Sequence, residues 1–96
     1  MNTENQIKHT INKESGKFEI FVNSEKAGEL TYFWNDENQF SIDHTQVDEA
    51  FSGRGLAKQL VVAAVQYARE ENKKIVPLCP YAISTIERNK ELQDVL

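Results

Sequence analysis

The sequence has one cysteine, two prolines and four glycines, and no apolar run approaching the ~20 residues a membrane-spanning helix requires. A single cysteine, Cys79, cannot form an internal disulfide, so nothing calls for an oxidising compartment. A basic excess is also missing. Eleven Lys and Arg against 15 Asp and Glu leave a formal charge of −4, the reverse of the field a nucleic-acid binder presents. Two histidines and one cysteine on separate segments lack zinc-ligand spacing, and no metal is expected. The opening Met1-Asn2-Thr3-Glu4-Asn5 shows no basic stretch followed by an apolar one, so no targeting segment is expected. What is present is enough for a core: 40% apolar residues exceed what a disordered chain carries. With no repeat, linker or low-complexity tract, residues 1–96 are expected to form one domain. Together these features predict a soluble, cytoplasmic protein with neither nucleic-acid nor membrane partners.

The pattern of apolar residues changes once, near residue 50. Before it they alternate, as Ile7-His9-Ile11, Phe18-Ile20-Val22, Leu30-Tyr32-Trp34 and Phe40-Ile42-His44. Period two with β-branched and aromatic residues predicts four strands, and the short polar connections between them predict an antiparallel meander. From Leu56 the spacing becomes helical, through Leu60, Ala63, Ala64 and Tyr67 with Ala57, Val61, Val65 and Ala68 beside them, to about Glu70. This helix is expected to be largely buried. Ile75 to Cys79 then reads as a short strand, parallel to the fourth by the handedness of the crossover. Pro77 cannot donate to a ladder, so it marks an edge strand or a point where strands four and five part. Ala82 to Arg88 reads as a short helix and Glu91 to Leu96 as a last turn. The expected class is α+β.

The junction Ser52-Gly53-Arg54-Gly55-Leu56-Ala57-Lys58 joins the fourth strand to the long helix. Two glycines let the backbone turn tightly and let a ligand approach the main chain. Helices favour acidic residues in the first turn, yet this one opens with Arg54 and Lys58 and closes with Glu70 and Glu71, against its dipole. Such an end suits a bound phosphate. The plain alternative is a tight turn with Ser52 as N-cap. A P-loop would need a following Gly-Lys-Ser/Thr and a dinucleotide fingerprint a third glycine at Lys58, and neither is there.

This turn, with His44-Thr45-Gln46-Val47 before it and Cys79-Pro80-Tyr81 and Glu87-Arg88-Asn89 after it, resembles the GNAT superfamily of acyl-CoA N-acyltransferases, and most closely its small single-domain members. Ser52 stands where that family usually has Arg or Gln. The resemblance implies acetyl-CoA as the bound acyl donor. It implies that strands four and five splay to admit the pantetheine arm beside Thr45 and Val47. It further implies that the amides from Gly53 through Arg54, Gly55, Leu56 and Ala57 to Lys58 hold the pyrophosphate, with Arg88 and Asn89 near the coenzyme.

Three side chains are candidates for chemistry. Cys79 reads by itself as a small buried apolar residue, and the resemblance moves it beside the thioester. His44, on the Phe40-Ile42 face by alternation, is either a half-buried histidine with one satisfied nitrogen or a base facing Cys79. Tyr81 either packs on the sheet or gives a proton to the departing thiolate. The resulting expectation is an acetyltransferase acting on an amine, either a small molecule or an exposed group on a protein. The alternatives are transfer through an acetylated Cys79, a non-catalytic acyl-CoA-binding or sensing module, and an interaction domain with no coenzyme site.

Overall fold

In the computed structural model, which describes residues 5–96, the first half of the chain forms β1 (Asn5–Ile11), β2 (Ser15–Val22), β3 (Glu25–Asp36) and β4 (Gln39–Val47). After a 3-10 turn at Glu49–Phe51 come α1 (Leu56–Glu71), β5 (Lys74–Pro77), α2 (Pro80–Arg88) and a second 3-10 turn at Lys90–Val95. The reading of the opening residues as free of a targeting segment lies outside the described residues. Among the described residues no helix is long and apolar enough to cross a membrane. The strands form one sheet in chain order, antiparallel from β1 to β4, with β5 parallel to β4. The expected meander, buried helix, parallel fifth strand and short C-terminal helices are all present. The strands run longer than the alternation alone predicts, and α2 begins at Pro80 rather than Ala82, because proline suits the first position of a helix.

One sheet face carries Phe18, Ile20, Leu30, Tyr32, Phe40 and Ile42, all buried, and α1 lies over it with Leu56, Leu60, Val61, Ala64, Val65 and Ala68. Each such aliphatic or aromatic side chain contributes ~1.5–3 kcal/mol relative to exposure, which is why α1 docks in this orientation. At its far end α1 stops at Asn72 in the left-handed conformation, whose N–H donates to the carbonyls of Ala68 and Arg69. Arg69 reaches back to the C-terminal turn, Nε and Nη2 donating to Asp94 at 2.9 and 2.7 Å, and Nη2 also meets the Glu91 carbonyl. This clasp holds Leu92 and Val95 against the core.

The sheet contains three register breaks, each a single extra residue: Ala27 and Asn35 on β3 and Asp43 on β4. The last corrects the reading of His44. Tyr32 faces Ile42, but Thr31 faces His44 and Leu30 faces Thr45. Beyond Ile42 the alternation is therefore inverted, and His44 lies on the sheet face opposite to Phe40 and Ile42.

At β1, His9 is half-buried, its ring stacked on Phe18 at 3.9 Å and its Nε2 2.6 Å from the Tyr32 hydroxyl. Burial holds the imidazole below its ordinary value of 6.5. Folding therefore favours the neutral ring, and the folded protein resists a proton that the unfolded chain accepts once pH falls below 6.5. Stability is full above that value and declines below it. The parent is expected to lose melting temperature between about pH 7.5 and about pH 5.5, and a His9→Gln variant to show a flatter profile over that interval. Equal slopes would assign the loss elsewhere. Glu19 and Asp94, whose carboxyls are held down by Lys26 and Arg69, add their own losses only at lower pH, as they protonate.

Candidate functional site

The β4–β5 ladder is short. Its parallel pairs run from Gln39–Lys74 to Ile42–Pro77 and stop there, and the N–H groups of Leu78 and Cys79 then both donate to the Ile42 carbonyl, at 2.9 and 3.1 Å. Beyond that point β4 continues through Asp43, His44, Thr45, Gln46 and Val47 with no strand on its β5 side, while the chain after Pro77 turns into α2. Pro77 closes the ladder at the place where its missing N–H is no longer needed. The two elements thus part at their carboxyl ends, leaving main-chain groups of β4 unpaired among the described residues along roughly 13 Å of strand.

The glycine turn lies past the end of this open flank. Gly53 and Gly55 adopt positive φ, 79° and 73°, and a Cβ built on either would meet nothing within 4 Å. These glycines answer to backbone conformation, and the space beside them is open. Ser52 is not the N-cap of α1. That position is held by Gly55, which supplies no side-chain hydrogen bond, and α1 has no acidic residue in its first turn. The first main-chain donor of α1 to find a protein acceptor is Gln59, which donates to the Gly55 carbonyl. Among the described residues the N–H groups of Gly53, Arg54, Gly55, Leu56, Ala57 and Lys58 donate to no protein atom. A run of such donors at the positive end of a 16-residue helix is an anion site by construction.

The cations expected to accompany the coenzyme form no ion pairs among the described residues. Arg54, Lys58 and Arg88 are exposed, and none joins a salt bridge among the described residues, although carboxylates outnumber cations in this chain. The Arg54 guanidinium rests 5.3 Å from the centroid of the Phe51 ring. Asn89 spends its amide internally, Nδ2 donating to the Thr85 carbonyl at 2.7 Å at the end of α2.

Of the three candidates for chemistry, the structure sets Cys79 against Thr45 where β4 and β5 part, and sends His44 away. Cys79 is the N-cap residue of α2, 7% exposed, with its thiol 3.5 Å from the Thr45 hydroxyl across the opening. Tyr81 is the second residue of α2, 39% exposed, with no hydrogen-bond partner for its hydroxyl among the described residues. His44 does not meet Cys79: it is exposed on the opposite face, its Nε2 3.1 Å from the Gln46 Oε1. Thr45 and Val47 are half-buried on the same sheet face as Phe40 and Ile42, in the positions the inverted alternation gives them. One residue of this region is absent from the sequence reading. Asp43, the bulged residue at the apex of the cleft, accepts a hydrogen bond from Thr31 Oγ1 at 2.8 Å. Alternation carries no signal for it, because Phe40-Ile42-His44 runs on without a visible break and only the register against β3 shows the extra residue.

Comparison with known proteins agrees with this geometry. A family model described as GCN5-related N-acetyl-transferase matches residues 17–95. Protein NATD1 of Danio rerio is 30% identical over 94 residues, which span 97% of this chain and 84% of that protein. The solution structure of a GCN5-like protein from Staphylococcus aureus is 37% identical, with a TM-score of 0.73 over 94% of this chain and 85% of that one. A GNAT family acetyltransferase from Elizabethkingia anophelis, solved with acetyl-CoA bound, shares the fold at 15% identity and a TM-score of 0.66, over 76% of this chain and 63% of that one.

Proposed function

The chain belongs to the GCN5-related N-acetyltransferase family, and on that footing we propose that it binds acetyl-CoA in the β4–β5 cleft and transfers the acetyl group to an amine. The observation that carries this reading is the pairing of two vacancies: unbonded N–H groups from Gly53 to Lys58 and an unpaired flank of β4 leading away from them. A diphosphate at the first and an amide-bearing arm along the second, past Thr45 and Val47, would satisfy both sets of main-chain groups at once. Arg54 and Lys58 would add charge at the turn, and Arg88 and Asn89 would approach the coenzyme from the end of α2. The thioester then lies near the cleft apex, between Asp43 and Cys79. The whole of residues 1–96 acts as one such domain, in the cytoplasm.

In the transfer step the amine nitrogen attacks the thioester carbon, a β4 N–H takes up the charge developing on the carbonyl oxygen, and the C–S bond breaks. The sulfur receives a proton as the nitrogen releases one to solvent. Tyr81, whose hydroxyl has no hydrogen-bond partner among the described residues, is the donor. Cys79 is enclosed and engaged with Thr45, and direct transfer needs no acyl-cysteine. Replacing the proton donor as Tyr81→Phe is expected to lower kcat about a hundredfold without changing the affinity for acetyl-CoA. Cys79→Ala is expected to keep transfer near the parental rate, and the parent to show no acetyl mass increment on incubation with acetyl-CoA. A stable increment, lost in Cys79→Ala together with turnover, would establish the covalent route instead.

Calorimetric titration with acetyl-CoA tests the binding site directly, with saturation at one equivalent as the expected result. An absence of saturable heat would leave an interaction domain without a coenzyme site. One observation favours a second reading, a non-catalytic acyl-CoA-binding or sensing module: with His44 on the far face, no base stands beside Cys79 among the described residues. Binding without turnover across a broad amine panel decides for it.

A further inference from the structure

We propose that the bulged Asp43 selects the acceptor, an alkylammonium group approaching from the sheet face that α1 leaves uncovered. The inference rests on the acetyl-CoA site assigned above. The extra residue in β4 does two things at one point of the chain. It places the Asp43 main chain immediately beyond the last β4–β5 pair, Ile42–Pro77, at the cleft apex. It also turns the side chain outward, where Thr31 Oγ1 donates to Oδ1 at 2.8 Å and Oδ2 has no protein donor among the described residues. Thr31 therefore holds the carboxylate in place and leaves one oxygen free for a ligand.

The surroundings fit a cation on an apolar stem. Phe33 follows Thr31 by two residues on β3, so it shares that face, and it is 37% exposed although aromatic. An alkyl chain can lie on the ring while its ammonium meets Asp43. His44 and Gln46, bonded to each other, flank the carboxylate. Lys17, across β3 on β2, directs its Nζ to Glu19, 3.9 Å away. Asp43 on this assignment is an acceptor-binding residue whose charge acts before the nitrogen loses its proton and attacks.

The test uses the intact chain, with release of the CoA thiol as the assay and three acceptors: pentylamine, a lysine-containing peptide, and methoxyamine, which is uncharged at neutral pH. Asp43→Asn is expected to raise KM for pentylamine and for the peptide at least tenfold. It should leave their kcat within about twofold, and leave both the methoxyamine kinetics and the acetyl-CoA affinity unchanged. Thr31→Val, which frees the carboxylate without removing its charge, is expected to raise the same KM values about threefold. The comparison between pentylamine and the peptide shows whether a small amine or a protein lysine is the better source of the ammonium. A KM rise of equal size for methoxyamine, or none for the charged acceptors, overturns the assignment of Asp43. So does a protein that binds acetyl-CoA and acetylates neither charged acceptor. A parent with no saturable heat of acetyl-CoA binding refutes the coenzyme site itself, and this inference with it.

Discussion

A Gly55→Glu protein is expected to fold and to bind acetyl-CoA at least about a hundredfold more weakly than the parent, a loss of ~2.7 kcal/mol in binding free energy. Two opposing terms set its stability. A residue with a Cβ at φ 73° costs ~1–2 kcal/mol, since the left-handed region crowds the following carbonyl. A carboxylate at the N-terminus of α1 returns ~0.3–1 kcal/mol, because that end has no acidic residue in its first turn and no side-chain cap. Nothing lies within 4 Å of the new Cβ, so no clash adds to the sum, and melting should fall by only a few degrees. Binding has no such compensation. The same carboxylate stands where the diphosphate must come, and it competes for the N–H groups of Leu56, Ala57 and Lys58. Gly55→Ala separates the two contributions, since it carries the strain without the charge. Calorimetry on both variants, beside their thermal melts, measures each, and full affinity in a folded Gly55→Glu would fail the diphosphate assignment.

Gly16→Ala is expected to damage the sheet severely for so small a change, costing about 2–4 kcal/mol. Gly16 pairs with Tyr32 across β2 and β3, and the phenol ring lies over it. A Cβ on Gly16 would stand 2.3 Å from both Cζ and Oη of Tyr32 and 2.8 Å from Cε2. The ring has no route of escape. Tyr32 is 1% exposed, the Phe40 ring centroid is 4.5 Å away, and the hydroxyl is fixed by His9 at 2.6 Å. Displacing it breaks the bond to His9 and leaves a buried hydroxyl without its partner. For a domain of this size the melting temperature is expected to drop by more than about 10 °C. A double-mutant cycle with Tyr32→Leu checks the cause, because the methyl should cost much less once the ring is gone. Additive losses would place the cost in the β2 backbone instead.

The parts of the fold that were legible in the sequence are those set by short-range periodicity. Leu56, Leu60, Ala64 and Ala68 repeat at helical spacing and occupy the buried side of α1. Phe18, Ile20 and Val22 alternate and are all buried. The glycine turn was legible for a related reason, as two glycines and two cations before a helical run leave few other uses. What escaped depends on relations between strands. A bulge is a count of residues on one strand against its neighbour, and Phe40-Ile42-His44 alternates as cleanly as any strand without one. The companionship of His9 and Tyr32 likewise requires the phenol to pass above Gly16, a fact of register between residues far apart in the chain. Asp43 was invisible for both reasons, since its position at the apex needs the β5 pairing as well as the β3 register.

The inserted residue in β4 also sets what a loss of three bases would do. Were the codon for Asp43 deleted, plain alternation would return with every other side chain on the face it now holds: the imidazole of His44 would stay opposite Thr31, and the Thr45 hydroxyl would keep its place beside the Cys79 sulfur. One triplet of bases thus carries the carboxylate at the cleft apex while the rest of the strand keeps its facing.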